Sequence, residues 1–186
     1  MSIRRLREVV TPPPQRSDRE YSWETIESDL WFPLPTDYKE LIETYGAGSF
    51  GDFLHIYQPN SPWEQLDLKQ QAEDELWVLR ELAEDGGDIP YQLSAPAELI
   101  SFGRNENGDP LFWHRGPGND PDTWTVLVKE ARGGDWFSFD GGATNFLSAA
   151  LTREVRVAIF PRDFPPDTPE FTPYDASRRR QYWKPS

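Results

Sequence analysis

The chain has 186 residues, and 32 acidic side chains against 19 Lys and Arg give it a formal net charge of −13. This length allows one domain with a sizeable core. The absence of cysteine excludes disulfides, thiol nucleophiles and cysteine-ligated metal sites, and no apolar run is long enough to cross a membrane. Because the N-terminus also lacks the apolar stretch of a secretory signal, we predict a cytoplasmic protein.

The charge is unevenly distributed along the chain. Residues 1–20 carry a net charge of +2 and residues 176–186 carry +4, so residues 21–175 carry −19. An acidic body repels nucleic acid and anionic membranes and attracts a basic protein. We therefore predict no nucleic-acid partner and no membrane partner, although solubility alone would also account for this charge.

The first 31 residues contain a polar segment followed by a short helix. Residues 1–20 are rich in Arg and are interrupted by three consecutive prolines, which predicts a flexible basic arm. Trp23, Ile26 and Leu30 repeat at helical spacing. This spacing predicts a helix over residues 22–31 that ends before a proline.

Residues 36–45 have the pattern of an amphipathic helix. Four apolar side chains share one face of it: Tyr38, Leu41, Ile42 and Tyr45. Pro35 presets the backbone angle for a first helical turn, and the side-chain oxygens of Thr36 and Asp37 can accept the free N–H groups of that turn. Gly46 then supplies the left-handed residue at which many helices end.

The glycines after this helix spell G-x-G-x-x-G, at Gly46, Gly48 and Gly51. A dinucleotide site needs a strand before these glycines and a helix after them, so that the helix N-terminus meets the phosphates. Here the helix comes first, and a predicted strand at 53–57 follows. We therefore interpret the glycines as a helix stop and a chain reversal, and we predict no cofactor.

The longest predicted helix covers residues 62–85. Ser61 and Glu64 have the spacing of a capping box at its first turn. Its predicted buried stripe recurs every three or four residues and consists of Leu68, Ala72, Leu76, Leu79 and Ala83. The opposite face is acidic, which is typical of a helix face in contact with solvent.

From residue 99 onward the pattern changes from helices to strands. Four apolar runs are separated by short loops, at 99–102, 111–114, 124–128 and 136–139, and short loops favour antiparallel pairing. Asn107 and Gly108 tolerate positive φ and predict a hairpin between the first two runs. A helix at 143–151 and a last strand at 155–160 follow, and the tail over residues 165–186 is rich in proline and then basic.

No group of residues predicts catalysis or metal binding. His55 and His114 each lie in a predicted strand, without further ligands at the spacing of a zinc site. No nucleophile elbow and no phosphate-binding loop occurs in the sequence. We therefore predict a protein that is not an enzyme and has no catalytic, cofactor-binding or metal-binding residues.

Three motifs in order resemble the SUKH superfamily of Smi/Knr-like proteins. The first runs from Leu34 and Pro35 through Tyr45, Gly46 and Gly48 into the strand at 53–57; the second is 100–103 followed by 107–113; the third is 136–139 followed by Phe146 and Leu147. The resemblance implies a single α+β domain over residues 21–164, with a mainly antiparallel sheet of about five or six strands covered by helices. Its fold-defining residues are Pro35, Tyr38, Tyr45, Gly46, Gly48, Asn107, Gly108, Trp113, Trp136 and Phe146.

The same resemblance implies a function in protein binding. Many bacterial SUKH proteins are immunity proteins that bind and block a cognate toxin, often a nuclease or deaminase with a basic substrate-binding surface. An acidic body would attract such a toxin and speed association with it. We expect the partner to contact acids of the long helix together with residues near the hairpin, namely Glu73, Asp74, Glu81, Trp113 and Arg115.

Three other functions remain open at this point. Eukaryotic relatives imply a regulatory or scaffolding adaptor that binds cellular proteins. An enzyme would need an apolar pocket with converging polar groups. Nucleic-acid binding would require the two basic ends of the chain to outweigh its acidic body.

Overall fold

The structure is a computed structural model that describes residues 2–14, 21–87, 89, 95–116, 118 and 120–174. These residues form the helices α1 (Ser2–Val9), α2 (Trp23–Asp29), α3 (Thr36–Tyr45), α4 (Leu68–Glu84) and α5 (Ala143–Leu151). They also form the strands β1 (Gly48–Phe50), β2 (Leu54–Ile56), β3 (Leu99–Asn105), β4 (Pro110–His114), β5 (Thr125–Lys129), β6 (Trp136–Phe139) and β7 (Phe171–Pro173). Helices on an open sheet confirm the predicted α+β domain.

The strands form one sheet in the order β6-β5-β4-β3-β2-β1-β7. Every neighbouring pair is antiparallel, as predicted. The β3–β4 hairpin turns at Gly108, which has a φ of 88°. The side-chain oxygen of Asn105 accepts hydrogen bonds from the backbone N–H groups of Asn107 and Asp109, each at 2.9 Å. The predicted hairpin is thus confirmed, and its turn is held by the Asn105 amide.

Two core clusters lie on the sheet, because alternate side chains of a strand point to opposite faces. The large cluster joins α1, α3 and α5 to the sheet and includes Leu111, Trp113, Val126 and Val128 of β4 and β5. The small cluster lies under the C-terminal half of α4 and consists of Leu79, Leu99, Phe112 and Leu127, with Trp136 packed against it. Leu68 and Ala72, in the N-terminal half of α4, belong to the large cluster. Helix α4 therefore contacts both.

Helix α1 lies where the sequence predicts a flexible arm. Leu6 and Val10 are buried in the large cluster, and the Tyr45 hydroxyl donates a hydrogen bond to the Val10 carbonyl at 2.7 Å. The prediction of a flexible arm is wrong for this helix. The prediction relied on the Arg-rich composition and did not consider the apolar residues at helical spacing, which pack beside α5. Residues 15–20 of the predicted arm, and residues 175–186 of the predicted basic tail, lie outside the described residues.

Helix α3 has the predicted bounds, but its first turn is capped by a distant residue. Pro35 is its N-cap and makes no side-chain hydrogen bond there. Asp122 instead accepts hydrogen bonds from the backbone N–H and the hydroxyl of Thr36, at 2.5 and 2.8 Å. Asp37 accepts hydrogen bonds from the N–H and the hydroxyl of Thr144, each at 2.9 Å, at the start of α5. The prediction that Thr36 and Asp37 cap α3 is therefore wrong.

Helix α4 begins six residues later than predicted. Asp67 is its N-cap and accepts a hydrogen bond from the backbone N–H of Gln70 at 3.0 Å. The other carboxylate oxygen of Asp67 accepts a hydrogen bond from the backbone N–H of Ser61 at 3.0 Å. A short 3-10 turn at Glu64–Leu66 lies between these two residues and precedes the helix. The predicted stripe is confirmed in part, since Leu68, Ala72 and Leu79 are buried, Leu76 is half-buried and Ala83 is exposed.

Strand β7 lies in the predicted tail and pairs with β1. Gly48 permits this contact, because a Cβ at its position would lie 2.3 Å from the Phe171 ring and 2.5 Å from the Thr172 carbonyl oxygen. Gly48 thus serves strand pairing, whereas the chain reversal predicted for it occurs at Gly51, with a φ of 59°. Gly46 ends α3 with a φ of 70°, as predicted.

The segment 155–160, predicted as a last strand, forms turns instead. The guanidinium group of Arg156 donates hydrogen bonds to the carbonyls of Phe160, Pro161 and Phe164, at 3.2, 3.0 and 3.1 Å. Because these three carbonyls all accept hydrogen bonds from one guanidinium group, the segment bends around Arg156 and does not extend as a strand. Val157 and Phe160 are buried nevertheless, which explains their strand-like apolar pattern.

Candidate functional site

The outer face of α4 carries the most exposed large apolar side chain among the described residues. Trp77 is 62% exposed, compared with 47% for Val78 and 39% for Trp31 in the loop after α2. Trp77 lies nine positions after buried Leu68, about two and a half helical turns, so it points directly away from the core. Tryptophan is the side chain most enriched at the energetic centres of protein interfaces.

Three of the four helix neighbours of Trp77 are acidic, and the fourth is the exposed cation Arg80. Glu73 and Glu81 lie four residues before and after Trp77, Asp74 lies three before it, and all three acids are exposed. Helix residues three or four positions apart are neighbours. Helix α4 carries five acidic and two basic side chains in total. We call Glu73, Asp74, Trp77 and Glu81 the α4 surface; its shape and charge suit a partner with an apolar pocket bordered by Lys and Arg.

One acidic side chain of α4, Glu75, faces the sheet and is partly buried, unlike the exposed acids of the α4 surface. Burial raises the pKa of the Glu75 carboxyl above its ordinary value, while the nearby cations Lys129 and Arg104 lower it. The carboxylates of α4 are therefore of two kinds: those of the α4 surface face solvent, and Glu75 contributes to the contact with the sheet.

The predicted contact residues near the hairpin lie in two environments. Trp113 is fully buried, with its ring 4.9 Å from the Tyr38 ring. It shares a strand face with Leu111, and that face is covered by the large cluster, so the prediction that Trp113 contacts a partner is wrong. Arg115 is half-buried, and its guanidinium carbon lies 5.6 Å from the centre of the Trp124 ring. A contact role for Arg115 stays a prediction.

The two histidines have contacts within the fold. One ring nitrogen of His55 contacts the Tyr174 hydroxyl, and the other lies 2.6 Å from the Glu106 carboxylate. His114 lies 4.0 Å from Glu98. No group of three or more His, Cys, Asp and Glu that could hold a metal occurs in the described part of the chain. His55 therefore links the β3–β4 turn to the residue after β7.

A comparison with protein-family models matches residues 20–148 to the SMI1 / KNR4 family (SUKH-1). The chain belongs to this SUKH family. The match confirms the resemblance seen in the three sequence motifs. Comparison with curated proteins gives no match, and comparison with solved structures gives none either.

The SUKH match includes the α4 surface but not every element of the fold. It begins after α1 and ends within α5, so α1 and β7 lie outside it. The motif residues Tyr38, Tyr45, Trp113 and Phe146 are all buried, which shows that they build the core. None of the described helices of this SUKH chain has the length and apolar character needed to cross a bilayer.

The spacing of residues in α4 predicts more of the α4 surface than the acidic composition of the helix does. The acids Glu73, Asp74 and Glu81 were predicted as contacts, but Trp77 at their centre was not among the predicted contact residues. Its exposure follows from the helix phase, which buried Leu68 and Leu79 set. Counting helical turns from those two leucines would have found it.

Proposed function

We propose that this SUKH chain is a non-enzymatic protein-binding domain whose α4 surface contacts a partner with a basic surface. The observation that supports this most directly is Trp77, 62% exposed among three exposed acids. An aromatic anchor contributes most of its affinity when a partner's pocket desolvates it. The acids around it would orient a basic partner and speed its approach.

More specifically, the proposed function is that of an immunity protein that binds and neutralises a cognate bacterial toxin of the nuclease or deaminase class. Membership of the SUKH family supports it, because the resemblance to SUKH proteins implies a role of this kind. The net charge of −13 also supports it, since a toxin that binds nucleic acid presents a positive surface. An inhibitor of this kind acts by covering that surface and needs no catalytic residue of its own.

The test pairs the full-length chain with the toxin-like domain encoded by the reading frame beside its own gene. Co-expression of the chain should restore growth of cells that produce the active toxin domain. If the chain does not restore growth and instead retains several cellular proteins in affinity capture, the immunity function is contradicted and the adaptor alternative is favoured.

Variants of exposed tryptophans locate the contact. Trp77→Ala should weaken binding of an inactivated toxin domain about 30-fold, the usual effect at the centre of an interface. Trp31→Ala is the matched control, because Trp31 is also exposed but lies outside α4, and it should change the Kd less than about twofold. Calorimetry measures both. Equal effects of the two variants would contradict a binding role for the α4 surface.

Charge reversal separates the contribution of the acids from that of the indole. Glu73→Lys with Glu81→Lys should lower the association rate and its dependence on salt. Glu40→Lys with Asp140→Lys, at exposed positions of α3 and of the turn before α5, makes the same change in net charge elsewhere and should have a smaller effect. A partner whose association rate does not respond to the double variant would not be bound through the acids of α4.

A further inference from the structure

A cavity of about 450 Å³ lies beside the C-terminus of α5. Three arginines line it, Arg153, Arg156 and Arg162, and its walls include Val157, Phe160 and Phe164. Small-molecule sites commonly have this volume and combine apolar walls with a few polar groups. A cavity lined by three guanidinium groups is unexpected in a chain of net charge −13.

Two of the three arginines have no acidic partner in the described part of the chain. Arg153 is paired with Asp167, at 3.0 Å. Arg156 donates only to backbone carbonyls, and exposed Arg162 makes no hydrogen bond or ion pair with a described residue. Glu154, two residues before Arg156, is paired with an arginine of α1. Exposed Asp163 follows Arg162 in the chain but forms no ion pair with a described residue. Within the described residues, neither Arg156 nor Arg162 therefore has a carboxylate that neutralises its charge at the cavity.

The cavity wall is formed by contacts that do not need a ligand. The three hydrogen bonds of Arg156 hold the loop around its guanidinium group. Arg153 has a φ of 61°, a left-handed conformation that usually belongs to glycine at this place after a helix. Glycine would fit this position without strain, but it has no side chain to bind the loop. The Arg153 side chain donates a hydrogen bond to the Pro165 carbonyl at 2.9 Å and thereby holds the cavity wall. A preformed wall lowers the ordering that binding requires.

From this arrangement we infer that the cavity binds a small molecule with an oxyanion head, either phosphate or carboxylate, on an apolar body. Arg162 holds the head through its guanidinium fork, which matches both oxyanions. Arg156 contributes the N–H groups that its three backbone carbonyl partners leave free. Phe160 and Val157 contact the apolar body. This site is separate from the α4 surface and does not depend on the function proposed for that surface.

Titration of the full-length chain with four simple probes tests the inference. The probes are phenyl phosphate, benzoate, inorganic phosphate and phenol, followed by calorimetry or by NMR shifts. Phenyl phosphate or benzoate should bind at least fivefold more tightly than both inorganic phosphate and phenol, because only the first two engage both halves of the cavity. The tighter of the two identifies the head group, and its affinity should fall between about 0.05 and 0.5 M NaCl.

A matched pair of arginine variants assigns the binding to this cavity. Arg162→Gln should weaken phenyl phosphate or benzoate binding about three- to tenfold, the range for an exposed charge-assisted contact. Arg132→Gln, at an exposed position between β5 and β6, removes the same charge and should leave the Kd unchanged. No binding of either aromatic anion up to about 10 mM, equal binding of phenol, or equal effects of the two variants would each overturn the inference.

Discussion

The large and small clusters cover the two sides of the sheet very unequally. In the described part of the chain the large cluster has 34 buried members and the small cluster has four. Helices α1, α2, α3 and α5 and the N-terminal half of α4 all contribute to the large cluster, whereas only the C-terminal half of α4 lies over the small one. The comparison suggests that the two sides have different tasks: the large cluster determines the fold, and the small cluster positions the α4 surface.

The sharpest test of this difference is to remove one fully buried phenylalanine from each cluster. Phe146→Ala should lower the free energy of unfolding by about 3–5 kcal/mol, because its ring lies among those of Phe137, Phe139 and Phe160. Phe112→Ala should cost about 1 kcal/mol less, since fewer neighbours lose contacts and the site can relax. Chemical denaturation measures both. Equal losses would show that the small cluster contributes as much per residue as the large one.

The contact of β7 with β1 extends the covered sheet and depends on a single glycine. Gly48→Ala should destabilise the fold by about 1–3 kcal/mol, because the new methyl group overlaps the Phe171 ring and the Thr172 carbonyl. Gly116→Ala is the control, since nothing lies within 4 Å of a Cβ at that position. Thermal unfolding should separate the two variants. A Gly48→Ala variant as stable as the control would mean that β7 moves away at little cost.

Two aspartates cap helices of the large cluster from another part of the chain: Asp37 of α3 bonds the start of α5, and Asp122 bonds the start of α3. Asp37→Ala should cost about 1–2 kcal/mol, because the first turn of α5 loses the cap that it receives at Thr144. Asp122→Ala should cost a similar amount at α3. Asp140→Ala, at an exposed position before α5, should change the stability by less than about 0.5 kcal/mol. A loss at Asp140 as large as at Asp37 would indicate a general charge effect.

The sequence predicted best those elements whose bounds depend on local patterns. The bounds of α3, α5 and β6 agree with the predicted ranges, because an apolar stripe and a flanking glycine or turn determine each of them. Strand β7 could not be predicted in this way, since it exists only through pairing with β1 more than 100 residues earlier. Helix α1 was missed for a related reason, because its apolar face is stabilised by α5.

The candidate sites show the same limit. The acids of the α4 surface could be predicted because they follow helical spacing, and Trp77 could have been placed among them by the same rule. The arginine-lined cavity could not, because Arg153, Arg156 and Arg162 come together only through a loop that the sequence pattern indicates as a strand. Residues of an irregular loop do not repeat at the spacing of a helix or a strand, so the sequence pattern does not predict which of their side chains lie together.

The smallest expected effect on stability is at the β7 end of the sheet, where the His55 ring contacts both the Glu106 carboxylate and the Tyr174 hydroxyl. The hydrogen bond from His55 lowers the pKa of the Glu106 carboxyl, although partial burial opposes this shift. A lowered pKa in the folded state means that the carboxylate contributes stability at pH values above its unfolded pKa of about 4.3. That contribution is lost as the pH falls through the lowered value, because the folded and unfolded states are then both protonated.

Glu106→Gln should therefore lower the melting temperature near neutral pH, and the difference from the unchanged chain should shrink as the pH falls below the unfolded pKa of about 4.3. The loss should stay between a few tenths and about 1 kcal/mol, because the carboxylate is more than half exposed and solvent screens it. Glu40→Gln removes the same charge at an exposed position of α3 and controls for net charge. A difference that grows toward acid pH would reverse the sign, and would mean that burial outweighs the His55 hydrogen bond at Glu106.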